Sequence, residues 1–199
     1  MNRVRTLSFA ACVVVWILGG CAKQQVKTVE QICVGDLDKA RAMRMAEDVL
    51  GEMQFGIEKS DVEQGLIRSK PLTGAQFFEF WRKDTIGAFN WAESNLHSIR
   101  RIVEMDVRQE EDSTGSPQDG LCIGCNVSVQ RLSLPERMLR GKGRSYEMLL
   151  ATSPALQKLK LDVGQKELMA WVDLGRDELL ETEILKRVEK KAAKLQKGK

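Results

Sequence analysis

Histidine is almost missing from this chain: its 199 residues include one, His97. A lone imidazole leaves Ser-His-Asp catalysis and histidine-rich metal centres without their working group. An excess of either charge is also missing, with 31 Lys and Arg against 28 Asp and Glu. That balance lacks the basic footprint of a nucleic-acid binder. The 43% hydrophobic content is too high for a disordered chain. Ser-x-x-Lys, Gly-x-Ser-x-Gly, His-Glu-x-x-His and the glycine-rich phosphate loops do not occur. No apolar run after the first twenty residues approaches the roughly 18 that a spanning helix needs. No catalytic site, cofactor, metal or nucleic acid is therefore expected, and the length allows one globular domain, at most two small ones.

What is present begins at the N-terminus. Arg3 and Arg5 make a positive start without an acid nearby, and Leu7 to Leu18 is a short apolar stretch. It ends in Leu18-Gly19-Gly20-Cys21, which resembles the lipobox of bacterial lipoproteins. The resemblance implies a signal peptide over 1–20 and a diacylglycerol on the Cys21 sulfur, with a further acyl chain on its new amino group. The plainer reading is an ordinary signal peptide, or a short anchor, with a chance cysteine. Two or three acyl chains hold a protein on a membrane durably, at about 0.8 kcal/mol for each buried methylene. Ala22 follows where an Asp would mark inner-membrane retention, so the resemblance implies an outer-membrane anchor facing the periplasm. The expected division is a lipidated tether over 21–36, a single α+β domain over 37–195 and a lysine-rich tail over 196–199.

Cys12 leaves with the signal and Cys21 is acylated, so Cys33, Cys122 and Cys125 remain. A disulfide is permitted outside the cytoplasm. Cys122-Ile-Gly-Cys125 could be redox-active or half of a zinc site that Cys33 and His97 complete. The motif falls in an apparent strand, however, away from the helix N-terminus that would stabilise a thiolate. Buried or idle thiols are the expectation, and whether any two of the three pair is left open.

Ala40, Met43, Ala46, Val49, Leu50 and Met53 recur at helical spacing and predict a helix from about Leu37 to Met53. A hairpin follows, with strands over Phe55–Ser60 and Leu66–Lys70 that Pro71 stops. A second, longer hairpin is predicted over Ser98–Glu110 and Leu121–Leu132. Ile99, Arg101, Val103, Met105 and Val107 share one face of its first strand, and Glu104 and Asp106 lie on the other. A weak helix is expected over Gln165–Trp171. A final helix begins after Asp177, with Leu180, Ile184, Val188 and Leu195 as its apolar stripe; its acids lead and its bases trail, which complements the helix dipole. The fold class is α+β: a small antiparallel sheet of two hairpins packed by an N-terminal and a C-terminal helix.

Six of the eleven aromatics fall between Phe77 and Trp91. Helices over about Ala75–Lys83 and Ile86–Leu96 would turn these rings into the core, the reading adopted here. The alternative is a partner surface including Phe78 and Trp81. Arg137, Arg140 and Arg144 lend positive charge to an excursion over 133–145 that could meet acidic headgroups or cell-wall polymer as part of the partner surface; a solvated loop is the reading adopted.

The segments Phe77-Phe78-Glu79-Phe80-Trp81-Arg82 and Trp171-Val172-Asp173-Leu174-Gly175 resemble features of an uncharacterised family of bacterial lipoproteins. The order of elements also resembles that of the outer-membrane assembly lipoproteins. Together these imply a non-catalytic envelope lipoprotein that binds membrane lipid through acylated Cys21 and an envelope protein or lipid partner through its domain. The competing function is a lipid-anchored enzyme using acids such as Glu104 and Asp106.

Overall fold

The structure is a computed structural model that describes residues 28–35, 37–111, 117–133 and 163–197. Helix α1 (Lys39–Glu52) buries Ala42, Met43, Met45, Ala46, Val49 and Leu50 on one face. It ends in a tight C-terminal cap: Phe55 N donates to Leu50 O and Gln54 N to Gly51 O, both at 2.9 Å. Gln54 takes the left-handed conformation (φ 69°) that this cap requires. The chain is thereby turned so that Phe55 drops into the core.

Among the described residues seven strands follow one antiparallel plan. They are β1 (Gln31–Gly35), β2 (Ile57–Asp61), β3 (Leu66–Ser69), β4 (Leu72–Thr73), β5 (Ile99–Glu111), β6 (Pro117–Ser133) and β7 (Ala170–Arg176). The spatial order is β1-β6-β5-β3-β2, with β4 also on β5 and β7 also on β6. The centre is the long β5–β6 pair, which keeps one register from Ile99 opposite Arg131 to Gln109 opposite Leu121 and shifts before Glu111 opposite Pro117. Gly65 makes the β2–β3 turn at φ 73°, and its carbonyl accepts from Val107 N at 2.7 Å; a Cβ there would strike Val107 O.

Helices α2 (Ala88–Leu96), α3 (Val163–Glu167) and α4 (Glu178–Lys197) complete the described chain. One face of the sheet presents Ile67, Val103, Met105, Val107, Ile123, Cys125 and Val127 to α1 and to Leu180, Ile184, Leu185, Val188 and Ala192 of α4. Every core residue of this cluster lies between Val34 and Ala192. Methionines and aliphatic side chains fill the layer, with Phe55 its single aromatic ring among the described residues.

Two gaps in the sheet edges are closed by side chains. Pro71 separates β3 from β4, and the Val103 N–H between them donates to Ser69 Oγ at 2.9 Å. On the other edge β1 and β7 leave Val127 unpaired on β6. Its N–H donates to Glu181 Oε1 at 2.8 Å and its carbonyl accepts from Asp177 N at 2.9 Å. The start of α4 thus replaces a stretch of strand, which satisfies backbone groups that burial would otherwise leave orphaned.

The α+β architecture with a helix near each end is as expected, but three strands join the two hairpins. Gln31–Gly35, expected in the tether over 21–36, is strand β1, and α4 runs to Lys197, into the expected tail. Trp171–Leu174 lies in strand β7, since the exposed edge of β6 offers it a hydrogen-bond partner; only α3 remains of the helix expected there. Leu195 is exposed, and Ala192, one turn earlier, closes the apolar stripe. No helix over 75–83 forms, and the rings of that segment are not in the core.

Candidate docking surface

The segment between β4 and α2 is held by charge. Arg82 Nε and Nη2 grip Asp84 in a fork at 2.8 and 2.7 Å, Nη1 reaches Glu79 Oε2 at 3.1 Å, and Nη2 also donates to Thr73 O. Glu79 Oε2 in turn accepts from Gln76 N at 2.8 Å. Burial works against the Arg82 charge, but Asp84 and Glu79 outweigh it and raise the guanidinium above its ordinary range. The backbone makes two successive four-residue turns, Glu79 N donating to Gln76 O and Arg82 N to Glu79 O. Arg82 draws the chain back on itself to the Thr73 carbonyl, and a helix over 75–83, rising about 1.5 Å per residue, would carry Arg82 roughly 12 Å away from it.

Beneath α2 lies a buried polar cluster. Arg101, on the core face of β5, is 1% exposed and donates from Nε to Asp177 Oδ2 at 2.9 Å. Asp177 Oδ1 accepts from Asn90 Nδ2 at 2.9 Å and from Leu180 N at 3.2 Å. One carboxylate therefore neutralises a buried cation, caps α4 and fastens α2. Gly74 passes so close to Ser94 and Arg101 that a Cβ there would lie 2.5 Å from Ser94 Oγ.

On this frame the aromatic side chains face outward. Phe80 is 87% exposed, Phe89 73%, Phe77 71%, Phe78 57%, Trp81 55% and Trp91 49%. Phe77 and Phe78 meet edge to face at 5.4 Å between ring centres, and Phe80 and Trp81 at 5.2 Å. Leu96 extends the surface at the far end of α2. The expected core role of this segment is corrected: α1 and α4 already fill the space over the sheet, and the Arg82 and Asp177 clamps leave the rings in solvent. Phe78 and Trp81 lie on this surface; Arg137, Arg140, Arg144 and Cys21 lie outside the described residues.

The four potential zinc ligands are dispersed. Cys33 and Cys122 face each other across β1 and β6 and form a disulfide on the side of the sheet away from the helices. Cys125, three residues along the same strand, points to the opposite face and is buried in the core. Burial, followed by the nearby charges of Glu181 and Asp106, pushes its thiol far above the usual range. His97 sits exposed at the end of α2.

The acids considered for catalysis are spread over the open face of the sheet. Glu104 pairs with Arg68 at 3.3 Å, and Asp106 pairs with Arg108 at 2.8 Å. Also on this face, the Arg100 guanidinium stacks 3.9 Å over Trp171 and donates to Gln130 at 2.7 Å. No family model matches the chain, and no curated protein matches its sequence.

Proposed function

We propose that this chain is a lipid-anchored protein of the bacterial envelope, probing its surroundings through a fixed aromatic surface rather than catalysing a reaction. The observation that carries the reading is the outward display of six aromatic rings on a segment tied down by Arg82 and Asp177. Soluble proteins rarely leave so many large aromatic side chains of one segment in water without a partner for them. The lipobox-like Leu18-Gly-Gly-Cys21 supports the anchor. The Cys33–Cys122 disulfide supports an oxidising compartment such as the periplasm. The ion pairs of Glu104 and Asp106 and the buried, protonated Cys125 speak for structural rather than chemical work.

The test is made in the native envelope. A photo-crosslinking residue replaces Phe80, and in a control strain Arg68 on the opposite sheet face. Irradiation is expected to give a defined protein or lipid adduct from position 80 and none from position 68. Absence of any adduct at 80 overturns the docking surface. Loss of fatty-acid label from a Cys21→Ser variant checks the anchor separately; an unlabelled wild-type chain overturns it.

A further inference from the structure

The aromatic surface continues into a row of uncompensated lysines on α4. Lys186, Lys190 and Lys194 follow one another at four-residue intervals and are exposed, so they form one stripe along the helix. Lys83, two residues beyond Trp81, closes onto the same shallow cleft. The two acids lining that cleft are already engaged: Glu183 accepts from Arg187 at 2.8 Å and Glu52 from Lys191 at 3.0 Å. Among the described residues none of the four remaining lysines is in an ion pair. The aromatic segment adjoins the stripe at two places, Lys83 in the cleft and the head of α4. The start of α2 packs on α4 through Gly87 and Leu179, and Asn90 bonds to Asp177 at the head of α4.

We propose that this composite surface seats the domain flat on an anionic phospholipid bilayer, the rings entering the headgroup boundary and the lysines meeting lipid phosphates. Exposed Phe and Trp beside unpaired Lys is the pairing that a charged bilayer interface selects. A protein partner fits less well, because lysine is depleted from protein–protein interfaces. The approach of the chain to α4 agrees. Val29 N donates to Thr182 Oγ1 at 3.3 Å, and Cys21 stands eight residues earlier. Eight extended residues span at most about 29 Å. This inference rests on the lipid-anchored reading for its setting: an acylated Cys21 would hold α4 within that distance of the bilayer.

The binding itself is tested without the anchor, using the chain from Ala22, which keeps every core residue. It is mixed with vesicles of phosphatidylcholine alone or of phosphatidylcholine and phosphatidylglycerol in equal parts. Sedimentation is expected with the anionic vesicles and not with the neutral ones, together with a blue shift of tryptophan emission. Each lysine near an anionic surface strengthens binding about five-fold, so Lys186→Gln, Lys190→Gln and Lys194→Gln together should weaken it about 100-fold. Phe80→Ser with Trp81→Ser should weaken binding and reduce the blue shift while leaving the unfolding midpoint in place. Equal binding to both vesicle types, no binding to either, or a protein adduct from position 80 without vesicle binding overturns the proposal. Acyl labelling of Cys21 in the whole chain is read separately, so failure of the anchor and failure of the surface are distinguishable.

Discussion

Replacing Asp177 by Ala should be among the most damaging single changes in this protein. The carboxylate has three partners, and each loss carries its own cost. Arg101, 1% exposed, would keep a buried charge with no counterion, a situation that costs roughly 3–5 kcal/mol. Helix α4 would lose the oxygen that accepts from Leu180 N, typically about 1 kcal/mol. Asn90 would lose its tie, loosening α2 beneath Phe89 and Trp91. The first two losses total about 4–6 kcal/mol, a large share of the roughly 5–15 kcal/mol that stabilises a domain. With a urea slope of about 2 kcal/mol/M the midpoint should fall by about 2–3 M. Asp177→Asn separates the contributions, because an amide still caps the helix but cannot balance Arg101. Adding Arg101→Met to Asp177→Asn should recover much of the loss, since replacing a buried ion pair entirely costs far less than breaking it. The assay is urea unfolding of the chain from Ala22, followed by circular dichroism. A loss under 1 kcal/mol for Asp177→Ala, or a double variant no better than the sum of its singles, would refute the reasoning.

Two further outcomes follow from the cysteines. The Cys33–Cys122 bond closes a loop with a sequence separation of 89, for which the chain-entropy model gives a ceiling of about 4.6 kcal/mol and measured bridges usually less; Cys33→Ala with Cys122→Ala should therefore lower stability by about 2–4 kcal/mol, and an unchanged midpoint after reduction would contradict the bridge. Cys125 should react with a thiol reagent only after denaturation. Its folded pKa is raised, so the stability it contributes is fully present below the unfolded value of about 8.5 and is lost as pH rises above it, by about 1.4 kcal/mol per pH unit. Unfolding measured from pH 8 to 10 should show that slope in the wild type and its removal in Cys125→Ala.

The parts of this fold that are legible in the sequence are those whose pattern is long and whose burial is one-sided. Strand β5 alternates from Val103 to Arg108, and its core face includes Arg101 in the place where the core ends and the Asp177 cluster begins. Helix α1 and most of α4 repeat their apolar residues over several turns. Strands β1, β4 and β7 carry no such signal. They are short or wholly exposed, and they are strands because β5 and β6 offer them edges, a tertiary cause that no local window contains. The disulfide is hidden for the same reason, since the register that sets Cys33 opposite Cys122 belongs to the sheet. Part of it was nevertheless readable: residues 122 and 125 differ by an odd number, so a strand must send them to opposite faces.

The aromatic segment shows how a short coincidence of spacing misleads. Phe77 and Trp81 are four apart, which is one turn of a helix, but two rings do not define a periodic face. The better signal lay in the polar residues between and after them. Glu79, Arg82 and Asp84 supply the donors and acceptors of a folded-back loop: Arg82 forks onto Asp84, reaches Glu79 and also donates to the Thr73 carbonyl. A buried arginine clamp is worth keeping in place when the backbone around it must hold a fixed shape in water. The core had no need of the rings, because the methionines and aliphatic residues of α1, α4 and the sheet already fill it around Phe55. The clamp and the crowded core together account for the outward aromatics: the fold excludes them from its interior and spends buried charge to hold them at the surface, where a bilayer can take them up.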